Sequence, residues 1–94
     1  MREPMFLDTA GYRRDTDGLS TTDHGIYLLL LMHCWNHGEP LPLDEQRLAT
    51  ITNRRSEEEL VALRYVINRF FLHTDAGWIW EDSGIIRGGM PGAQ

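Results

Sequence analysis

Residues 26–35 place nine apolar side chains in ten consecutive positions, and Gly-Glu-Pro-Leu-Pro follows almost at once. The run falls short of the roughly 18 residues needed to cross a bilayer. Polar His24, His33, Asn36 and His37 lie around or inside it. Such a segment must therefore be covered by the rest of the chain. Ser20 with Asp23 three positions on approximates a capping box, and an acid in the first turn suits the helix dipole. Gly38 supplies a C-terminal stop, and Pro40 and Pro42 forbid continuation. The spacing predicts a helix from about Thr21 to Asn36. Tyr27, Leu28, Leu29, Leu30 and Leu31 cover every side of it, so it is expected to be surrounded by other elements as the central beam of a small core.

With 94 residues, the chain has room for one domain and one modest core. Its apolar fraction of 41% and charged fraction of 24% are those of a folded globular protein. Formal net charge is -5, and all nine basic residues are arginine. Overall acidity argues against broad, charge-driven nucleic-acid binding but leaves a local basic patch open. Arginine suits two-pronged contacts to phosphate or carboxylate. A single cysteine, Cys34, forms no internal disulfide, and the first residues hold no apolar core of signal-peptide length. The expected location is the cytoplasm, with no membrane span.

Residues 1–18 read as an N-terminal loop segment, because "YRRDTDG" clusters Asp and Gly. Leu41 and Leu43, alternating with prolines, suit a short edge strand. Asp44 then caps a short helix from Glu45 to about Thr50, with Leu48 and Ile51 facing inward. Ser56 with Glu59 forms a second capping box, and Leu60, Leu63, Ile67 and Phe70 follow at helical spacing. This third helix is expected over about Glu57 to Arg69. Phe70 to His73 and Trp78 to Glu81 are β-prone runs around Thr74-Asp75-Ala76-Gly77, the composition of a hairpin turn. Residues 83–94 read as a flexible, Gly-rich tail. The fold class is α+β, mainly α: three helices plus a C-terminal β-hairpin over residues 19–82, the element order of a winged helix, with the strand around Leu41 pairing with the hairpin.

Several features occur together: Asp15 with Thr16, Leu19 with Ser20, Gly25 with Tyr27, Leu30 and Leu31, and Trp35. They continue as Gly38 with Leu41 and Pro42, Phe70 with Phe71, and Gly77 with Trp78. As a set, over about residues 6 to 82, they resemble DUF1376, the YdaU-like family of phage and prophage proteins. That resemblance implies a winged-helix-like domain associated with phage replication-initiation or primosome-type proteins, and hence a bacterial host cell. Family members tend to place basic residues after the hairpin, where this chain has Glu81 and Asp82.

Arg64 and Asn68, at i and i+4, share a helix face turned away from Leu60, Leu63 and Ile67. Were that helix to enter a major groove, Arg64, Tyr65 and Asn68 would meet the bases while Arg54 and Arg55 held phosphates. Glu57, Glu58 and Glu59 oppose this at the helix start, and the competing expectation is a solvated face of Arg–Glu pairs, each worth about 0 to 1 kcal/mol. His33 and His37 could share a metal, yet a zinc site needs three or four ligands, so neither metal nor cofactor is expected. Cys34 inside the apolar helix is an inert thiol, and no catalytic constellation stands out, so the chain reads as non-enzymatic. Alternation sends Trp78 and Trp80 to one side of the hairpin, as core or as a partner's anchor. Ile79 and residues 84–86 are then expected to be somewhat exposed, hinting at pairing with another chain or a homo-oligomer.

Two functions of different class follow. One is a phage-type winged-helix module that binds DNA through Arg54, Arg55, Arg64, Tyr65 and Asn68 and serves phage DNA replication. The other is a small acidic phage protein that binds and inhibits a host complex, its carboxylates occupying a basic nucleic-acid site. Glu57, Glu58, Trp78, Ile79 and Trp80 are its candidate contacts.

Overall fold

A computed structural model describes residues 4–88. Their order is β1 (Met5–Leu7), α1 (Thr9–Asp15), α2 (Thr21–His37), α3 (Glu45–Ile51), α4 (Glu57–Phe70), β2 (Phe71–Thr74), β3 (Gly77–Trp80) and β4 (Ile86–Gly88). The class is α+β and mainly helical, with two separate antiparallel pairs, β1 with β4 and β2 with β3.

The beam forms where the sequence places it. Ser20 Oγ accepts from the Asp23 amide, and the Asp23 carboxylate accepts from the Ser20 amide, so the capping box is complete. Gly38 closes α2 at φ 66°, a left-handed conformation natural to glycine. Ile26, Tyr27, Leu30 and Leu31 are buried, Leu28 and Leu29 half-buried, and Met32 exposed. The beam is thus covered on most sides and open along one. Its principal partner is α4, which contributes Leu60, Leu63, Val66 and Ile67 to the same core. Leu48 of α3, Leu41 and Phe71 complete it.

Ser56 Oγ caps α4 by accepting from the Glu59 amide. The expected capping box forms only by half, because the Glu59 carboxylate accepts from the Arg55 amide instead. The hairpin closes at Asp75 and Ala76 with Leu72 opposite Ile79 and His73 opposite Trp78. Leu41 bonds to Trp78 in both directions, at 2.8 and 2.9 Å, which docks the hairpin against the segment after α2. That approach requires Gly77: at φ +132° a Cβ there would collide with the Leu41 carbonyl oxygen.

Two expectations are overturned. The expected loop over residues 1–18 is, among its described residues 4–18, largely ordered: β1 and α1 form, the latter capped by Asp8, whose side chain accepts from the Gly11 amide. What holds α1 is tertiary, since Tyr12 is buried and stacks on Tyr27 at 5.9 Å. Of residues 84–86, expected to be somewhat exposed, Gly84 is exposed and Ile86 half-buried, but Ile85 is buried. Ile85 is 1% exposed, and β4 pairs with β1, with Leu7 opposite Ile86. The Asp8 amide donates to the Ile85 carbonyl at 2.7 Å. Burying Ile85 against α1 offsets the ordering of a glycine-rich segment that local propensity would leave free. Residues 89–94 of the expected tail lie outside the described ones. No helix among the described residues is long and apolar enough to cross a membrane.

Candidate nucleic-acid interface

The turn between α3 and α4 is built by Thr52 and Asn53. Thr52 Oγ1 donates to the Leu48 carbonyl at 3.0 Å, ending α3 from inside. Asn53 takes φ 54°, a left-handed setting that asparagine tolerates better than most residues. The chain then doubles back, and the Arg54 amide donates to the Ala49 carbonyl at 2.9 Å. An open hollow of about 300 Å³ results, lined by Ala49, Thr50, Asn53, Arg54 and Arg55. Arg54 Nε is buried and has no hydrogen-bond partner among the described residues. Arg55 is exposed, and Glu57, Glu58 and Glu59 follow in the first turn of α4. There they stabilise the helix dipole while lowering the local positive potential.

Arg64, Tyr65 and Asn68 are exposed on one side of α4, yet each already has an internal partner. Arg64 reaches α3 and holds Glu45 through two bonds, Nε to Oε2 and Nη2 to Oε1, both 2.8 Å. This pair holds the Glu45 carboxyl below its ordinary value and raises the Arg64 guanidinium. Asn68 Nδ2 donates to the Arg64 carbonyl at 2.8 Å. The Tyr65 hydroxyl accepts from Arg69 Nη1 at 2.9 Å. The Arg69 Nη2 also donates to the carbonyls of Asp15 and Asp17, and its guanidinium lies 4.8 Å from the Phe70 ring centre. The turn arginines border an open hollow, whereas the α4 trio is engaged by partners within the chain.

Sequence reasoning missed Glu45 and Arg69. Arg69 stands four residues after Tyr65, a spacing that points to the contact, whereas Glu45 lies 19 residues from Arg64 and leaves no local signal. Trp78 and Trp80 are half-buried and pack against the core, and Ile79 on the opposite side is 44% exposed, next to Leu72 at 55%. The Trp80 Nε1 donates to the Tyr27 hydroxyl at 3.0 Å, and burial pushes that hydroxyl up to about 12. Burial likewise pushes the Cys34 thiol up to about 11, so it stays protonated. The ring centres of His33 and His37 lie 4.1 Å apart with the planes tilted by 34°, and no group of three or more metal-ligating side chains comes together among the described residues.

The Arg69 clasp ties α4 to Asp15 and Asp17, within the Asp-Thr segment that carries part of the family resemblance. A family model described as "Protein of unknown function (DUF1376)" matches residues 5–82. The chain is also 36% identical over 75 residues to the uncharacterized protein YdaU of Escherichia coli. That alignment covers 80% of this chain and 25% of YdaU, so the chain spans about a quarter of the length of that curated relative. No solved structure gives a significant match. Since the family model spans both the α3–α4 turn and the hairpin, the chain belongs to the DUF1376, or YdaU-like, family.

Proposed function

We propose that this chain is a non-enzymatic, winged-helix-like module that binds duplex nucleic acid, in the setting of phage DNA replication. In this reading α2, α3 and α4 are the three helices, the β2–β3 hairpin is the wing, and Leu41 supplies the additional strand position. One observation carries it: Arg54 and Arg55 border an open hollow at the turn between two helices, in a domain whose hairpin docks back on the segment after α2. Guanidinium groups so placed suit phosphate oxygens. Arg64 does not read bases while Glu45 occupies its fork. The binding is therefore weak, sequence-tolerant and strongly salt-dependent. The replication setting rests on the family resemblance alone. An electrophoretic shift with duplex and single-stranded DNA, at low and moderate salt, tests the proposal. A shift of the duplex at low salt that Arg54→Ala/Arg55→Ala abolishes supports it, and no shift at low salt removes it.

A second reading is an acidic module that docks on a host protein complex and inhibits it. It is favoured by exposed apolar side chains on α4 and the hairpin: Val61 at 64% and Tyr65 at 48%, with Leu72 and Ile79 on the hairpin. Glu57 and Glu58 precede Val61 on α4 and would meet a basic partner surface. Duplex binding that ignores Val61→Ser favours the first reading over this one.

A further inference from the structure

Two hollows adjoin between the C-terminal half of α2 and the hairpin. They measure about 390 and 220 Å³ and share Cys34, Trp80 and Asp82 as lining. Trp78 and Pro40 extend the wall of the larger one, and Glu39 stands at its rim. The groove is apolar and aromatic within, and among the described side chains that line it the charged ones, Glu39 and Asp82, are carboxylates. Cys34 adds a neutral thiol, its proton held by burial.

Among the described residues, neither carboxylate is paired with an arginine. Asp82 Oδ1 accepts from the Gly84 amide at 2.7 Å, which fixes that carboxylate at the groove mouth. The Trp80 indole is fixed as well, by its bond to Tyr27. A flat aromatic wall beside a carboxylate is the arrangement that a guanidinium recognises, stacking on the ring while its fork meets the oxygens. Phosphate, by contrast, would meet two negative charges.

We propose that this groove binds an arginine side chain presented by an extended, apolar and basic peptide segment of a partner protein. The site uses neither Arg54 nor Arg55, so it stands or falls separately from nucleic-acid binding. Charge complementarity selects the occupant: an acidic rim of Glu39 and Asp82 suits a basic segment, and the indoles suit its planar cation.

The test uses the whole chain and an acetylated, amidated hexapeptide of alternating leucine and arginine, followed by tryptophan fluorescence and by the indole N–H signals of Trp78 and Trp80. A second peptide carries citrulline, neutral and of the same shape, in place of arginine. Asp82→Asn retains the Oδ1 acceptor for Gly84, so that variant and Glu39→Gln remove charge while keeping the fold, which circular dichroism verifies. The arginine peptide is expected to saturate and to shift the Trp80 indole signal. Citrulline, or the Glu39→Gln/Asp82→Asn double variant, weakens binding about tenfold. Equal affinity for the two peptides, binding untouched by the double variant, or no saturation overturns the proposal. So does a concentration-dependent dimer in sedimentation velocity that the double variant abolishes, because the groove would then belong to a second copy.

Discussion

Glu45 and Arg64 meet through two bonds of 2.8 Å, joining α3 to α4 across 19 residues, and this pair sets what α4 can offer to a polyanion. A guanidinium whose fork is filled by a carboxylate is electrically neutralised at close range. Glu45→Gln removes one negative charge and leaves Arg64 available to phosphate. Duplex affinity, measured by fluorescence anisotropy at low salt, is expected to rise about threefold to tenfold, in line with one further phosphate neutralised. An unchanged or reduced affinity would place Arg64 outside the binding surface.

The same pair links stability to acid. Arg64 holds the folded Glu45 carboxyl below its ordinary value of 4.5. A depressed folded value means that the contribution is present above the unfolded value and is lost as pH falls through the folded one. Both partners are exposed, with side-chain exposures of 56% for Arg64 and 47% for Glu45, so the effect is small and screened by salt. Urea midpoints of Glu45→Gln are expected to fall less steeply than those of the parent chain between neutral pH and pH values below 4.5. Parallel pH profiles would mean that the pair contributes nothing in solution.

Tyr27 is where the aromatic interior turns polar. Its ring lies 4.1 Å from Phe70 and its hydroxyl accepts from Trp80. Tyr27→Phe keeps the stacking and leaves the indole N–H without that acceptor, which costs about 1 kcal/mol. Urea unfolding measures that destabilisation. A Trp80 indole N–H signal that stays in place in Tyr27→Phe would contradict the bond.

Ile85 is a core residue by its exposure of only 1%. Ile85→Ala is expected to cost about 2 to 4 kcal/mol, a large share of a small domain's stability. Gly11→Ala tests the same packing from the other side. A Cβ there would stand 2.8 Å from Asp8 Oδ2 and 3.0 Å from Ile85 Cγ2, so a change that ordinarily favours a helix is expected to lower the thermal midpoint here. A midpoint raised by Gly11→Ala would show that α1 and Ile85 do not pack together.

The helices and hairpin at the centre of the chain were legible because their boundaries are written locally. Ser20 with Asp23, Gly38, Asp44 and Ser56 each act within about one helical turn of themselves, and Asp75-Ala76-Gly77 turns the hairpin without distant help. The α1 helix has 7 residues, with Gly11 inside it, too short for propensity to announce. The stacking of Tyr12 on Tyr27 holds it in place, and a stack between residues of different elements has no sequence period. Ile85 was hidden for the same reason: the glycines around it speak of a loop, while its burial depends on elements at the far end of the chain. In the candidate interface the residue types were visible and their engagements were not. Nothing near Arg64 in the sequence points to Glu45.

Nucleic-acid binding through the turn is tested most directly by the salt dependence of duplex affinity, compared between the parent chain and Arg54→Ala/Arg55→Ala. On the proposed reading each guanidinium neutralises one phosphate, so losing both is expected to make the slope of log affinity against log salt shallower by about 1.8 and to weaken binding at low salt. Identical slopes for the two proteins, or a parent chain that ignores duplex DNA at the lowest salt, would contradict it.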